Sequence, residues 1–307
     1  MKRILITGIN GFLANRLVDY LGGNDSNIFG ISRSDNFKTL KKERYTTLYG
    51  DILDYQFLCR AISDNEITHI YHLAAQSIVR IANTNPLYCF TDNIIGTTNV
   101  LEAIRQINPK IKCIVASSDK SYGDYEHLPY TEDMALQSGD SYSTSKACAD
   151  LITQSYFKTY GLAVNIIRSA NIYGAGDMNL SRIIPNTITK ILKGEKPVIY
   201  SGVWDYKREF IYIDDVCEAY VKIAEHGNPG EAYNAGTSFV YKVGDIVEKI
   251  CEKMKWTGGI DIIQKSFPEI KTQYLSSKKI SELCWSPKVS IDDGLQKTID
   301  WYKNNFQ

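Results

Sequence analysis

Tyr142-Ser-Thr-Ser-Lys146 sets a phenol and an amine four residues apart, which on a helix puts both on one face. Such a pair can take a proton from a hydroxyl, because the ammonium stabilises a phenolate whose ordinary pKa is about 10. Bringing the phenol near neutrality takes roughly 3 pKa units, or about 4 kcal/mol of differential stabilisation. A fixed Lys146 charge and an oxidised nicotinamide ring together can supply it. Alone, Tyr-x-x-x-Lys reads rather as one face of a solvated helix. Thr7-Gly-Ile-Asn-Gly11-Phe-Leu-Ala14 changes that reading, since it can hold the dinucleotide that takes the accompanying hydride.

The glycine loop is Gly8-x-x-Gly11-x-x-Ala14 rather than Gly-x-Gly-x-x-Gly. Gly8 permits a sharp turn out of a strand, and Gly11 lets the backbone approach a pyrophosphate at a helix N-terminus. Ala14 still allows close packing of helix on sheet. The elements required to position both motifs are legible. Residues 3–7, 28–32, 47–49, 67–74, 111–117 and 163–168 read as strands, and 12–21, 91–106 and 142–160 as helices. This alternation predicts an α/β fold with a Rossmann-type doubly wound parallel sheet covered on both faces. Past residue 170 turn residues recur at Gly174, Gly176, Pro185, Gly194 and Pro197, so a smaller, irregular C-terminal part is expected. Ligands in such sheets sit beyond the carboxyl ends of the strands, where Gly8, Ala74, Ser118 and Asn171 fall.

The 307 residues suffice for one large or two intimate domains. Lys plus Arg (35) balances Asp plus Glu (35), so no net field draws the chain to nucleic acid or membrane. Met1-Lys-Arg leads directly into a strand, and no apolar run reaches the length of a membrane span. The seven scattered cysteines lack Cys-x-x-Cys, which argues for reduced thiols in the cytoplasm and against a disulfide frame or a zinc site. The four histidines show no metal-ligand spacing, and His69 and His72 read as structural. No metal is expected.

Taken together, these motifs resemble those of the extended short-chain dehydrogenase/reductases acting on nucleotide sugars. The resemblance rests on the glycine loop, Gly50-Asp51-Ile-Leu-Asp54, His72-Leu-Ala-Ala75, Asn93-Ile-Ile-Gly-Thr97, Tyr142-x-x-x-Lys146, Arg168-Ser-Ala-Asn171-Ile-Tyr-Gly174 and Arg208-Glu-Phe-Ile-Tyr-Ile-Asp-Asp215. Leu283-Cys-Trp-Ser-Pro287, Asp293-Gly-Leu and Trp301-Tyr are similar to the family's ending. The resemblance implies a dinucleotide-binding domain of residues 1–170 plus about 205–235, and a nucleotide-sugar-binding domain of 171–204 and 236–307. It implies a cofactor held by Thr7, Gly8, Asn10, Gly11, Phe12, Leu13, Ser32, Arg33, Asp51, Ile52, Leu73, Ala74, Ala75, Tyr142 and Lys146. It implies a nucleotide-diphosphate sugar bound by Ser77, Arg80, Ser118, Asn171, Arg182 and Arg208.

Ser117-Ser118-Asp119-Lys120 bears on which reaction follows. Asp119-Lys120 is similar to the acid/base pair of CDP-glucose 4,6-dehydratases, and Ala75-Gln-Ser-Ile-Val-Arg80 to that branch and to GDP-mannose dehydratases. The competing reading is a surface ion pair between Asp119 and Lys120. The resemblance implies catalytic roles for Ser118, Asp119, Lys120, Tyr142 and Lys146, with Lys120 either the C5 base or a group orienting the substrate. The leading expectation is a nucleotide-sugar 4,6-dehydratase; an epimerase or 4-reductase of the same fold and a catalytically silent dinucleotide-binding protein are the alternatives. Ser32-Arg33-Ser34 stands where NAD-binding relatives place an acid, which favours NADP slightly over NAD, in either case tightly bound and recycled. Apolar Val100, Ile104, Leu151, Ile152 and Phe157 lead to an expected homodimer through a four-helix bundle, the arrangement the resemblance implies.

Overall fold

Short runs of Ile, Leu, Val and Phe closed by polar turns become buried parallel strands, as the alternation requires. In the computed structural model, which describes residues 1–22, 26–34, 44–264 and 270–306, the first strands are β1 (Lys2–Thr7), β2 (Ser26–Ser32), β3 (Thr46–Tyr49), β4 (His69–His72), β5 (Lys112–Ser118) and β6 (Val164–Ser169). The chain then makes β7 (Asn171–Tyr173), β8 (Val198–Tyr200), β9 (Lys207–Arg208) and β10 (Phe210–Tyr212) before β11 (Ala232–Ala235) returns to the main sheet. The seven-stranded order is β11-β6-β5-β4-β1-β2-β3, with every pairing parallel. The order reverses between β1 and β4, and the crevice at that reversal is where ligands of such sheets bind.

Helices α1 (Phe12–Leu21), α2 (Tyr55–Asp64), α3 (Val79–Thr84), α4 (Pro86–Phe90), α5 (Gly96–Ile107), α6 (Ser141–Tyr160), α7 (Ile183–Leu192) and α8 (Ile213–His226) follow in chain order. The period-two alternation of β1 divides the core. Ile4 and Ile6 pack with Ala14, Leu17 and Val18 of α1 and with Val216 and Tyr220 of α8. Leu5 faces the other way, to Leu58 of α2, Leu101 and Ile104 of α5, and Leu162. Past α8 lie β12 (Tyr241–Lys242), α9 (Val243–Lys253), β13 (Asp261–Ile263), β14 (Thr272–Gln273), α10 (Lys278–Ser281) and α11 (Ile291–Asn305). Their strands form small sheets with β8 and β9, in the orders β13-β8 and β12-β9-β14. No helix among the described residues is long and apolar enough to cross a membrane.

Two expectations change. The helix read over 91–106 opens with a π-wound turn, Thr91–Ile95, before α5. Val100 and Ile104 do not face a partner: they are 1% and 0% exposed and belong to the core under the sheet. Spaced i,i+4, they form the stripe by which α5 covers β1. Ile152 and Phe157 pack against the same core, while Leu151 is exposed, as are Leu87, Ile95 and Tyr160.

The C-terminal segments are tied back by one carboxylate. Glu209, fully buried between β9 and β10, accepts the backbone N–H groups of Leu275 at 2.8 Å and Ser238 at 2.5 Å. Burial pushes its carboxyl up to about 7, against the pull of those donors. Its own carbonyl accepts from Asn171, through the backbone N–H and the side-chain amide.

Candidate active site

Thr7 ends β1, and its hydroxyl oxygen accepts the N–H groups of Leu73 and Ala74, each at 3.1 Å, at the end of β4. The same oxygen lies 2.8 Å from Nδ1 of His72, whose Nε2 lies 2.9 Å from the Thr97 hydroxyl. Thr97 gives its only proton to the Asn93 carbonyl. His72 therefore donates from Nε2 and accepts the Thr7 proton at Nδ1, a neutral tautomer fixed by its neighbours. Burial, with Lys146 adding like charge, pushes the imidazole down to about 3. His72 is structural, as its sequence context suggests, and it locks together the two strands that flank the crevice.

Gly8 follows with φ +71°, and a Cβ there would lie 2.8 Å from Ala74 Cα. A side chain cannot enter so close a backbone crossing, and the conformation itself favours glycine. Gly11 caps α1 with no side-chain bond, and the first turn of α1 carries no acid. Uncapped N–H groups beside two glycines fit the pyrophosphate of a dinucleotide. Phe12 and Leu13 are half-buried against the core, and Ala75 is half-buried beyond β4. Asn10 donates to Ser32 Oγ at 2.7 Å, joining the glycine loop to the end of β2.

Arg33, expected to favour a 2′-phosphate, is exposed but has partners of its own. Its guanidinium donates to the Tyr88 hydroxyl at 3.2 Å and lies 3.6 Å from Asp92 and 3.9 Å from Asp51. Asp92 is 5% exposed, one of its oxygens lacks a partner, and burial raises its carboxyl above the usual range. Asp51 also accepts the Leu53 N–H, and Ile52 is buried against Gly96.

The candidate reacting groups gather where β5 ends. Ser118 is its last residue; its hydroxyl donates to Asp119 Oδ1 at 3.0 Å and accepts the Lys120 N–H at 3.2 Å. Asp119 is 2% exposed, and its Oδ2 has no partner. The ammonium of Lys120 turns away from it to Gln273 Oε1, at 3.3 Å. The surface ion pair weighed as the alternative is therefore not formed.

Asp140 caps α6 by accepting from the N–H groups of Tyr142 and Ser143, which starts the helix just before Tyr142. Lys146 donates to the Ala116 carbonyl at 2.8 Å, and burial lowers its amine to about 8. Burial pushes the Tyr142 phenol up to about 12, while Arg182 and the Ser118 hydroxyl pull it down. The protein's side chains alone thus leave the phenol protonated, and the lowering expected of Lys146 needs the positive ring as well.

Arg182 pairs with Asp177 at 2.9 Å and stands 5.9 Å over the Phe12 ring. Arg208 is buried, its guanidinium donating to the carbonyls of Lys207, Ile270 and Lys271. Asn171 donates to the Glu209 carbonyl. Ser77 and Arg80 are exposed, before and within α3. Sequence reasoning assigns no role to Gln273, Glu209 or Asn93. Asn93 accepts from the Gln76 N–H and donates to the Gln76 carbonyl and Ser145 Oγ, tying the loop after β4 to α6. Its place at the head of Asn93-Ile-Ile-Gly-Thr97 is the signal that could have found it.

The model of the family described as GDP-mannose 4,6 dehydratase matches residues 5–298. The chain belongs to this family. It is 30% identical over 321 residues to dTDP-D-glucose 4,6-dehydratase of Bos taurus, covering 99% of this chain and 90% of that protein. Among solved structures it is similar to dTDP-glucose 4,6-dehydratase from Bacillus anthracis in complex with NAD, at 27% identity and a TM-score of 0.90, over 100% and 98% of the two chains. It is also similar to UDP-glucose 4-epimerase of Thermotoga maritima with UDP-glucose, at 25% identity and a TM-score of 0.93, over 99% and 100%. The family thus spans dehydratases and epimerases of nucleotide sugars.

Within this family member His72 supplies a pH signature. Its pKa is lowered from 6.5 to about 3, so the unfolded chain binds one more proton between those values and stability falls as pH drops through that window. The full loss is roughly 5 kcal/mol. His72→Gln should flatten the slope of unfolding free energy against pH between 6.5 and 3 by up to one proton, measured by denaturant titration. An unchanged slope would contradict the neutral-imidazole assignment.

Proposed function

We propose that the protein is a nucleotide-sugar 4,6-dehydratase that forms a 4-keto-6-deoxy sugar nucleotide and water by internal hydride transfer from C4 to C6. One observation carries this reading: a buried carboxyl, Asp119, hydrogen-bonded to Ser118 yet with one oxygen unpartnered, beside the Tyr142–Lys146 pair. An epimerase needs the phenol and the serine; it has no use for a second acid there.

A bound nicotinamide would accept the C4 hydride and later return it to C6. Tyr142 takes the proton of the C4 hydroxyl, and Ser118 holds the C4 oxygen. The new ketone acidifies the C5 hydrogen. Lys120 removes that proton, its electron pair forms the C5–C6 double bond, and the C6 hydroxyl departs as water with a proton from Asp119. A proton then returns to C5 as hydride reaches C6. With the hydride returned, the reaction would need no external oxidant or reductant.

NAD is the better fit of the two cofactors. Asp51 and Asp92 already flank the Arg33 guanidinium, and those carboxylates would repel a 2′-phosphate. The neighbour from Bacillus anthracis was crystallised with NAD. The sugar nucleotide would lie between the carboxyl ends of β4 and β5 and a domain of residues 171–204 and 236–307, with Asn171 and Arg182 in that domain and Arg208 on β9, which pairs with its β12 and β14. Two copies would pair through α4, the π turn and α6, where Leu87, Ile95, Leu151 and Tyr160 are exposed.

Substrate deuterated at C4 should give product with deuterium in the C6 methyl, and heavy water should label C5. Asp119→Asn should still reduce the cofactor transiently but form product at least 10²-fold more slowly; Tyr142→Phe should block the reduction itself. Deuterium retained at C4 would replace this reading with the epimerase one. Calorimetric titration should show NADP binding at least 10-fold more weakly than NAD, and Asp92→Asn should narrow the difference; equal affinities would refute the NAD assignment. Sedimentation at micromolar concentration should give twice the 34.7 kDa chain mass, and a monomer would exclude the pairing.

A further inference from the structure

Lys120 sits on a turn of four residues, Asp119–Tyr122, immediately after a buried acid. A lysine's four-carbon stem is flexible and its ammonium is drawn to the nearest carboxylate. Here the ammonium makes one hydrogen bond among the described residues, to the side chain of Gln273, 153 positions further along the chain. Gln273 is 1% exposed on β14, which pairs with β9 so that Gln273 lies opposite Arg208. Glu209, which follows Arg208, in turn holds the Leu275 N–H. The glutamine's place is therefore set by a strand pairing and a buried carboxylate, independently of Lys120. Its amide nitrogen, like Asp119 Oδ2, has no partner.

We propose that Gln273 is the positioning residue of Lys120: it holds the amine apart from Asp119 and leaves its nitrogen lone pair to take the substrate's C5 proton. This rests on the dehydratase reading above. The residue type matters. An amide oxygen accepts an N–H from either the ammonium or the neutral amine, so the contact survives deprotonation. Being uncharged, it adds no opposite charge that would hold the lysine as a cation. A carboxylate at the same place would do that, and an apolar side chain would release the amine toward Asp119. The proton moves from C5 to the Lys120 nitrogen as the C5–C6 double bond forms, and Asp119 supplies the separate proton that leaves with the C6 oxygen. Gln273 keeps that acid and that base from neutralising one another.

The test uses full-length protein labelled with carbon-13 at the lysine ε-position, the Lys120 signal being assigned by its loss in Lys120→Arg. Gln273→Glu should raise the Lys120 titration midpoint by about one unit or more and move the ascending limb of the pH–rate profile the same way. Gln273→Leu should slow solvent labelling at C5 about 10-fold or more relative to the transient reduction of NAD, which stays at the wild-type rate. A Lys120 signal and titration unchanged in both variants overturns the positioning role, as does equal slowing of C5 labelling and NAD reduction. Absence of C5 labelling in the wild type overturns the dehydratase reading itself, whereas the lysine titration decides the Gln273 contact whatever the reaction.

Discussion

The buried ion pair between Arg168 and Asp150 is the constraint on which the site's geometry depends. Both residues are essentially unexposed, and the guanidinium meets the carboxylate in a fork, at 2.8 and 3.0 Å. A further nitrogen donates to the Tyr122 hydroxyl at 2.8 Å, and Tyr122 donates to Asn234 Oδ1 at 2.8 Å. One network thus joins α6, β6, the turn after β5 and β11. Asp150 lies four and eight residues beyond Lys146 and Tyr142, on the same helical face, so fixing it fixes the rotation of α6. Breaking one partner of such a pair leaves an uncompensated buried charge and typically costs about 3–5 kcal/mol.

Around that frame the electrostatics are incomplete. Burial, the largest influence on each, leaves the Tyr142 phenol up at about 12 and the Lys146 amine down at about 8. Both shifts favour the uncharged form, the opposite of what proton abstraction needs from the phenol. Desolvation that is unhelpful to the side chains by themselves strengthens every charge interaction once a cation is brought in. The protein supplies a buried pair, and on the proposed reading the charge that activates it would arrive with the dinucleotide.

Much of this is legible in the sequence where the physics is local. Gly8 announces its turn, Tyr142-x-x-x-Lys146 its helix, and the alternation of strands and helices the two covered faces. The inward face of α5 is legible too, since Val100 and Ile104 share one stripe; reading them as a second face misses that spacing. What cannot be read are side chains whose meaning lies in a distant partner. Arg33 looks like a free cation until Asp92, 59 positions later by the numbering, is brought beside it by the π turn. Gln273 lies in a stretch with no periodic pattern, and only its pairing with β9 carries it to Lys120.

The return of β11 to the main sheet has a consequence for how the chain is made. Until residues 232–235 have been synthesised, β6 presents an unpaired hydrogen-bonding edge, the kind of surface that invites pairing with other chains. The excursion through β7 to β10 lies between the two strands in sequence, so it must be accommodated before that edge is covered. Asn234, on β11, is also the last member of the Arg168 network. A nascent chain stopped at residue 170 would hold the whole glycine loop and all of α6, yet lack both the covering strand and the anchor. The two parts of the molecule are in that sense one cooperative unit, whose vulnerable interval on the ribosome ends at Ala235.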